Sequence, residues 1–272
     1  MSDDRERWAL VLGASSGMGE ATALALANAG HNIAGVHLDF RAGIKHVDEV
    51  KAAIEAAGRE ALFFNVNAAD DEKRAGVLDA VVARFAESTA AGRSPHLRVV
   101  VHSLAFGSLL PFLGDDPKER ISRKQLEMTL DVMASSLVYW TQDLYSLGLL
   151  SETRIYALTS EGSTRVIPSY GAVSAAKSAL ESNCRQLAME LARAGTGCSV
   201  NAIRAGVTIT PALLRIPHHS VVIRRTEKRN PSGRMTTPQD VGEAIVKLSE
   251  DGLLWMTGNV IGVDGGEFIT GS

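Results

Sequence analysis

Residues 8–20 read WALVLGASSGMGE. A strand-sized apolar run from Trp8 to Leu12 leads into a turn with three glycines, and an Ala-rich segment follows as far as Ala29. Glycines let the backbone come close to a pyrophosphate, and a helix N-terminus offers free amides and the positive end of a dipole. The order of strand, glycine turn and helix therefore predicts a phosphate-binding loop. The residues predicted to bind there are Gly13, Ser15, Ser16, Gly17, Met18 and Gly19.

Apolar runs of strand length alternate with longer Ala-rich or charged segments along the whole chain. Strands are predicted near residues 8–12, 32–38, 60–66, 97–103, 153–160, 198–203 and 259–263, and helices near 17–29, 43–57, 70–91, 122–148, 168–194 and 238–250. The strands are almost wholly apolar, as expected when helices cover both faces of a sheet. This pattern predicts an α/β fold in which residues 1–272 form a single domain around a doubly wound parallel sheet.

The composition excludes several classes of protein. The chain has 272 residues, 45% of them hydrophobic, and its net charge of −3 gives no polybasic surface for nucleic acid. The polar N-terminus and the lack of a long apolar run predict a cytoplasmic protein that does not cross a membrane. Cys184 and Cys198 imply no disulfide framework. No metal site is predicted, because the adjacent His218 and His219 have no ligand partner at helical spacing.

A second informative group lies in the middle of the chain. Tyr170 and Lys177 stand seven residues apart, which is close to two turns of a helix. Their phenol and ammonium are therefore expected on one helix face, within reach of one substrate and one cofactor. Ser160 ends an apolar run seventeen residues before Lys177. A hydroxyl at a strand end, opposite a helix that carries Tyr and Lys, predicts a site for proton transfer.

Two further segments join the glycine loop and these three residues in a family resemblance. Residues 200–206 read VNAIRAG, and residues 263–266 read VDGG. Over nearly its whole length the chain resembles the short-chain dehydrogenase/reductase family. This resemblance implies a Rossmann-type fold and an NAD(P)H-dependent oxidoreductase, with Tyr170, Lys177 and Ser160 as its catalytic residues.

The position of the tyrosine favours one branch of that family. Most members carry the tyrosine four residues before the lysine, where this chain has Val173. The Tyr-x6-Lys spacing and residues 101–106, VHSLAF, resemble the enoyl-(acyl-carrier-protein) reductase branch. The compact glycine loop, with Ser160 in place of a second tyrosine, resembles a less common bacterial subgroup of it. These departures leave room for an ordinary carbonyl reductase with an unusual tyrosine.

Three functions are therefore considered. The first is reduction of the 2,3 double bond of an enoyl thioester in fatty acid synthesis. The second is reduction of a ketone, such as a 3-oxoacyl group, by a carbonyl reductase or alcohol dehydrogenase. The third is NAD(P) sensing without turnover, against which the presence of Ser160, Tyr170 and Lys177 argues. In the first, Tyr170 is expected to donate to the enolate oxygen, Lys177 to bind the nicotinamide ribose, and Ser160 to order the carbonyl or a water.

The end of the second predicted strand bears on the choice of cofactor. Asp39 lies twenty residues after Gly19, the spacing of an acid that binds the ribose 2′-hydroxyl. His37 stands where the family more strictly places that acid, and Arg41 would pair with a 2′-phosphate. NADH is favoured, with NADPH as the alternative. The resemblance also places Asn65 and Val66 at the adenine.

Other expected contacts follow from the same resemblance. Leu104 and Ala105 are expected beneath the nicotinamide, and Thr208 and Thr210 at the carboxamide and pyrophosphate. Two segments without clear periodicity follow strand ends, where ligands bind in this architecture. Residues 106–121 and 207–236 are interpreted either as walls for an acyl chain or as ordinary buried loops. The implied partners are a small or carrier-linked acyl thioester, with acyl carrier protein as one candidate carrier, and further copies of the chain in a homotetramer.

Overall fold

Seven parallel strands form one sheet at the centre of the molecule. The computed structural model describes residues 5–216 and 219–270. In that part of the chain the strand order is β3-β2-β1-β4-β5-β6-β7, and every neighbouring pair is parallel. The predicted doubly wound parallel sheet is confirmed. The strands are β1 Glu6–Leu12, β2 Asn32–His37, β3 Ala61–Asn65, β4 Pro95–His102, β5 Arg154–Thr159, β6 Ser199–Ala205 and β7 Val260–Val263.

Nine α-helices within the described residues connect and follow these strands. They are α1 Gly17–Asn28, α2 Arg41–Ala56, α3 Asp71–Ala90, α4 Arg123–Leu130, α5 Ser136–Ser146, α6 Gly171–Arg193, α7 Pro211–Leu214, α8 His219–Arg229 and α9 Pro238–Leu248. The segment 207–236, for which no helix was predicted, contains α7 and α8. Residues 106–121 are irregular, as the lack of periodicity indicates, and a bond from the Ile121 amide to the Pro111 carbonyl closes them.

The predicted helix 122–148 is interrupted. A π turn, Asp131–Ser135, separates α4 from α5. Beside it the Ser136 hydroxyl donates to the Val132 carbonyl and lies 2.8 Å from Nε2 of the buried His102 on β4. A π turn contains one extra residue, which rotates the helix that follows it. The side of α5 that packs on the sheet is therefore rotated about the helix axis relative to that of α4.

Two hydrophobic cores cover the two faces of the sheet. Successive strand side chains point to opposite faces, and along β1 Leu10 belongs to one core while Ala9 and Val11 belong to the other. The first core includes Trp140, whose indole nitrogen donates to the Ala68 carbonyl at 2.8 Å. Among the described helices, none has the length and hydropathy needed to cross a bilayer.

The strand order reverses between β1 and β4, which opens a crevice at the carboxyl edge of the sheet. The loops after these two strands meet there at close range. A Cβ atom on Gly13 would lie 2.6 Å from the Ser103 carbonyl oxygen, so the glycine is required by the approach of the two backbones. The fold thus brings the glycine loop and the loop after β4 to one place.

The packing of α9 on α1 generates a prediction about stability. A Cβ atom on Gly242 of α9 would lie 2.8 Å from the Ala21 carbonyl oxygen, whereas one on Gly76, exposed on α3, would meet nothing within 4 Å. We expect Gly242→Ala to lower the free energy of unfolding by about 1–3 kcal/mol through overpacking. The control Gly76→Ala should raise it by about 0.5–1 kcal/mol, because alanine favours a helix interior. Urea unfolding measures the free energy of unfolding of both variants. A Gly242→Ala protein as stable as the wild type would contradict the close packing of α9 on α1.

Candidate active site

The loop between β1 and α1 has the backbone geometry that a pyrophosphate requires. Gly13 and Gly17 have φ values of +93° and +57°, which favour glycine. A Cβ atom on Gly19 would lie 2.0 Å from the Gly13 carbonyl oxygen, so the first turn of α1 lies directly against the end of β1. The amides of that turn have no acceptor within the helix, and such amides fit the diphosphate of a dinucleotide.

The side chains of the same loop have different surroundings. Ser16 is the N-cap of α1 and is exposed, and its hydroxyl makes no capping bond to that helix. Ser15 is buried, and Met18 lines the cavity described below. A Cβ atom on Gly17 would lie 3.3 Å from the Thr210 methyl group. Ser16 is therefore the loop residue whose side chain is available to a phosphate. Thr210, at the start of α7, packs against the same loop.

At the end of β2, three of the residues that are predicted to contact the adenosine are hydrogen-bonded to one another. Nδ1 of the buried His37 lies 2.9 Å from Oδ2 of Asp39. The Asn65 side chain accepts from the Asp39 amide at 2.9 Å and donates to the Asp39 carbonyl at 2.8 Å. Val66 packs against the core, and Arg41 is exposed at the start of α2. His37 and Asp39 thus form a pair, with one carboxylate oxygen engaged by the imidazole.

Tyr170 is the N-cap of α6 and not a residue within it. The predicted helix start at residue 168 is wrong, because Ser169 has a φ of +59° and a helix cannot continue through that conformation. Tyr170 and Lys177 nevertheless line the same cavity. The Tyr170 ring packs closely on the backbone, since a Cβ atom on Gly162 would lie 2.7 Å from it.

Ser160 lies beside Tyr170 directly after β5. Its hydroxyl oxygen accepts a hydrogen bond from the Gly162 amide at 3.1 Å and so caps a short 3₁₀ turn, Glu161–Ser163. Burial raises the pKa of the Tyr170 phenol above its ordinary value, and the neighbouring Ser160 hydroxyl partly offsets that rise. The phenol is consequently protonated at neutral pH and can act as a donor.

Lys177 is buried, and its ammonium is bound by the ends of two strands. Nζ donates to the Leu158 carbonyl at 2.7 Å and to the Leu104 carbonyl at 3.4 Å. Burial lowers the pKa of Lys177 to about 8, although the nearby Glu181 acts in the opposite direction. An ammonium has three donors, so one remains for a ribose hydroxyl.

The remaining predicted nicotinamide contacts gather around the same space. Leu104 is half-buried and Ala105 exposed, and both line the cavity beyond the end of β4. Thr208 and Thr210 are buried. The Thr208 hydroxyl donates to the Gly206 carbonyl at 2.9 Å, and the Thr210 hydroxyl accepts from an amide of α7. Both threonine hydroxyls therefore stabilise the loop after β6.

The cavity itself has a volume of about 310 Å³ and contains Ser160, Tyr170 and Lys177 on its wall. Much of the remaining wall is apolar and comes from the loop after β4, the α4–α5 segment, α6 and the α7–α8 segment. It includes Leu109, Met133, Val173, Leu213, Ile216 and Val222. Both segments that lacked periodicity thus contribute to the wall, which suits an apolar acyl group.

Charged residues that the sequence reasoning did not identify line one side of this cavity. Arg229, at the end of α8, contacts Glu267 at 2.6 Å and Glu161 at 3.3 Å. Glu267 is 2% exposed and also accepts from the Val207 amide at 3.1 Å. Arg165, which is not among the residues that line the cavity, contacts Glu161 at 3.3 Å. In the sequence, these acids are marked only by their neighbours. Glu161 directly follows Ser160, and Glu267 directly follows the VDGG segment.

Neither a metal nor a cysteine nucleophile is indicated by the geometry. Within residues 5–216 and 219–270, no three His, Cys, Asp or Glu side chains gather as metal ligands. His219 begins α8, and His218 lies outside the described residues. Burial raises the pKa of Cys184 to about 12, so that its thiolate is suppressed.

Comparison with known proteins identifies the family. A family model described as enoyl-(acyl carrier protein) reductase matches residues 13–267. The chain belongs to this family. The resemblance to the enoyl reductase branch is therefore confirmed. A solved structure, the enoyl-(acyl-carrier-protein) reductase (NADH) from Aquifex aeolicus, has a TM-score of 0.81 and 26% identity, with 99% of each chain covered.

Three curated relatives show the breadth of the similarity. The chain is 34% identical to enoyl-(acyl-carrier-protein) reductase (NADH) FabI of Aquifex aeolicus, over 64% of this chain and 63% of that relative. It is 30% identical to cis-4-hydroxycyclohexanecarboxylate dehydrogenase of Sinomonas cyclohexanicum, over 96% of each. It is 26% identical to 1-cyclohexenylcarbonyl-CoA reductase of Streptomyces collinus, over 97% of this chain and 87% of that relative.

The buried ammonium of Lys177 generates a prediction about pH. Because the pKa is about 8, the proton is present at pH 7 and is lost as the pH rises through 8. We expect the Kd for NADH to increase by up to about tenfold between pH 7 and pH 9, following the protonated fraction. Calorimetric titrations at several pH values measure this. In Lys177→Met the Kd should be higher at pH 7 and change little over the same range, and an unaltered pH profile in that variant would contradict the role of Lys177.

Proposed function

We propose that the protein reduces the 2,3 double bond of an enoyl thioester with NADH. The observation that carries the proposal is the placement of Ser160, Tyr170 and Lys177 on one largely apolar cavity, beside a glycine loop suited to a dinucleotide. Membership of the enoyl-(acyl carrier protein) reductase family supports the same reaction. The predicted placement of the whole chain in one domain agrees with it.

The roles of the residues follow from the charge that the reaction creates. Addition of hydride at C3 moves negative charge to the thioester oxygen, which requires a hydrogen-bond donor placed beforehand. Tyr170 is the proposed donor, because burial keeps its phenol protonated. Ser160 orders the same oxygen or a water beside it. Lys177 holds the ribose with its third donor, while its charge favours donation by the phenol.

The proposed cofactor is NADH, and a bound reduced nicotinamide supplies the hydride. The glycine loop and the exposed Ser16 hydroxyl fit its pyrophosphate. The paired His37 and Asp39 place a carboxylate at the end of β2, which suits a ribose 2′-hydroxyl and repels a 2′-phosphate. The names of the Aquifex relative and of the similar solved structure both specify NADH.

The names of the relatives specify two carriers of the acyl group. An acyl carrier protein is the thioester carrier in the names of several relatives, whereas the Streptomyces relative uses coenzyme A. We propose an acyl-carrier thioester in a homotetrameric cytoplasmic enzyme.

A dehydrogenase or ketone reductase is the second candidate. The specific observation in its favour is the match to the Sinomonas dehydrogenase, which covers 96% of both chains. In such a reaction the protonated oxygen is bonded to the carbon that exchanges hydride. In conjugate addition it lies two atoms further away, and Tyr170 lies one turn earlier than Val173, where most family members carry the tyrosine.

The first prediction concerns the donor. We expect Tyr170→Phe to lower turnover by about 10²–10³, the effect of losing one oxyanion donor, and to leave the Kd for NADH nearly unchanged. The control is Tyr145→Phe, which alters an exposed phenol on α5 and should leave turnover unaffected. Stopped-flow absorbance of the reduced nicotinamide measures both variants. Near-normal turnover by Tyr170→Phe would remove Tyr170 from the proposed mechanism.

The second prediction tests the reaction itself. The protein should oxidise NADH with a 2-enoyl thioester and prefer it to the 3-oxo thioester of equal chain length. Because much of the cavity wall is apolar, kcat/KM should increase with chain length by up to about 0.8 kcal/mol per buried methylene until the cavity is filled. Ketone turnover without enoyl turnover across several chain lengths would instead establish the second candidate.

A further inference from the structure

Arg204 lies on the wall of the catalytic cavity but has no part in the mechanism above. It belongs to β6, where its Cα is paired with that of Thr159, the residue before Ser160. The guanidinium carbon lies 3.5 Å from the ring centroid of Phe268, which follows β7. Arg204 is therefore one strand away from the proposed catalytic serine, and an aromatic ring covers one face of its guanidinium.

The hydrogen-bond donors of this guanidinium are unused. Within the described residues the Arg204 side chain forms no hydrogen bond and no ion pair, and its buried Nε has no partner. A guanidinium carries five N–H donors, and a buried donor without an acceptor costs free energy. By contrast, Arg165 contacts the same Phe268 ring but donates to Glu161 and to the Phe268 carbonyl.

Among the described residues, no acid of the surrounding cluster forms an ion pair with Arg204, and each of these acids has other partners. Glu161 and Glu267 both accept from Arg229, and Glu267 also accepts from a backbone amide. The oxygens of Asp264 accept from two amides of the turn that follows β7. Arg215 and Arg225 also line the cavity, and neither has an ion pair among the described residues, but both are exposed. Arg204 differs from them because it is half-buried and its Nε is fully buried.

The stacking on Phe268 indicates what the missing partner is. A planar guanidinium that lies on a ring directs its donors outward in its own plane, where they match the two oxygens of a carboxylate. We propose that Arg204 forms a subsite for a carboxylate carried by the acyl group of the substrate. This inference rests on the proposed function, since it assigns a substrate class to the same cavity.

The cavity restricts the form of such a substrate. Its remaining wall is largely apolar, with Val173 and Leu109 among the lining side chains, and its volume is about 310 Å³. The thioester lies at Ser160 and Tyr170, and the carboxylate lies at Arg204. The preferred substrate is accordingly a short acyl thioester with a carboxylate at its far end.

The test uses two N-acetylcysteamine thioesters, 2-butenoyl and 4-carboxy-2-butenoyl. Neither carries a phosphate, so a difference between them reports the carboxylate alone. We expect the wild-type kcat/KM to be about 10- to 100-fold higher for the carboxylated thioester, the effect of a charge-assisted hydrogen bond. In Arg204→Gln the ratio should fall to near one. In Arg165→Gln, which alters the paired guanidinium on the same ring, the ratio should stay at the wild-type value.

Further measurements separate this inference from the proposed function. Arg204→Lys keeps the positive charge but loses the paired donors of the guanidinium. Its ratio of kcat/KM values for the two thioesters should lie between those of the wild type and Arg204→Gln, and it tests the subsite if Arg204→Gln does not fold. If both thioesters are reduced with equal kcat/KM, the subsite is wrong although the enoyl reductase function stands. If neither is reduced, calorimetry with glutarate in the presence of NAD decides. Binding that Arg204→Gln abolishes supports the carboxylate subsite without the enoyl reaction, and no binding overturns it.

Discussion

The buried ammonium of Lys177 is the interaction on which the geometry of the site depends. Removing a charge from water costs several kcal/mol unless hydrogen bonds replace the lost hydration. Here they come from the carbonyl of Leu158, near the end of β5, and from that of Leu104, just after β4. These bonds set the position of α6 along the sheet. Because Tyr170 caps the same helix, they also set the distance of the phenol from the crevice.

A second set of charges connects α8 to the segments that follow β5 and β7. Arg229 belongs to α8, whereas Glu161 and Glu267 follow β5 and β7. Glu267 in turn holds the Val207 amide in the loop that is expected to meet the nicotinamide. Helix α8, the loop after β6 and the residue after Ser160 are therefore coupled through Arg229 and the buried carboxylate of Glu267.

The sequence was sufficient to predict features that depend on neighbouring residues. It was not sufficient for features that depend on contacts between residues far apart in the chain. The glycine loop and the parallel sheet follow from turn residues and apolar runs, which need no knowledge of distant neighbours. The π turn before Ser136 was missed because the helical period continues through it and the interruption involves His102 on another element. Glu161 and Arg229 lie 68 residues apart, and only the fold brings them together. The preference for NADH stayed open because the orientation of Asp39 depends on its contact with His37.

The direction of the strands has a practical consequence for handling the protein. In a parallel sheet β1 begins at the amino edge, where Arg5 contacts Glu152, and the cavity lies at the opposite, carboxyl edge. Glu267 and Phe268, which follow β7, belong to the cavity wall. A substitution in this segment would therefore act directly on the cavity, whereas one at Arg5 would act at the far edge of the sheet. Substitutions at these two places would consequently separate effects on kinetics from effects on stability.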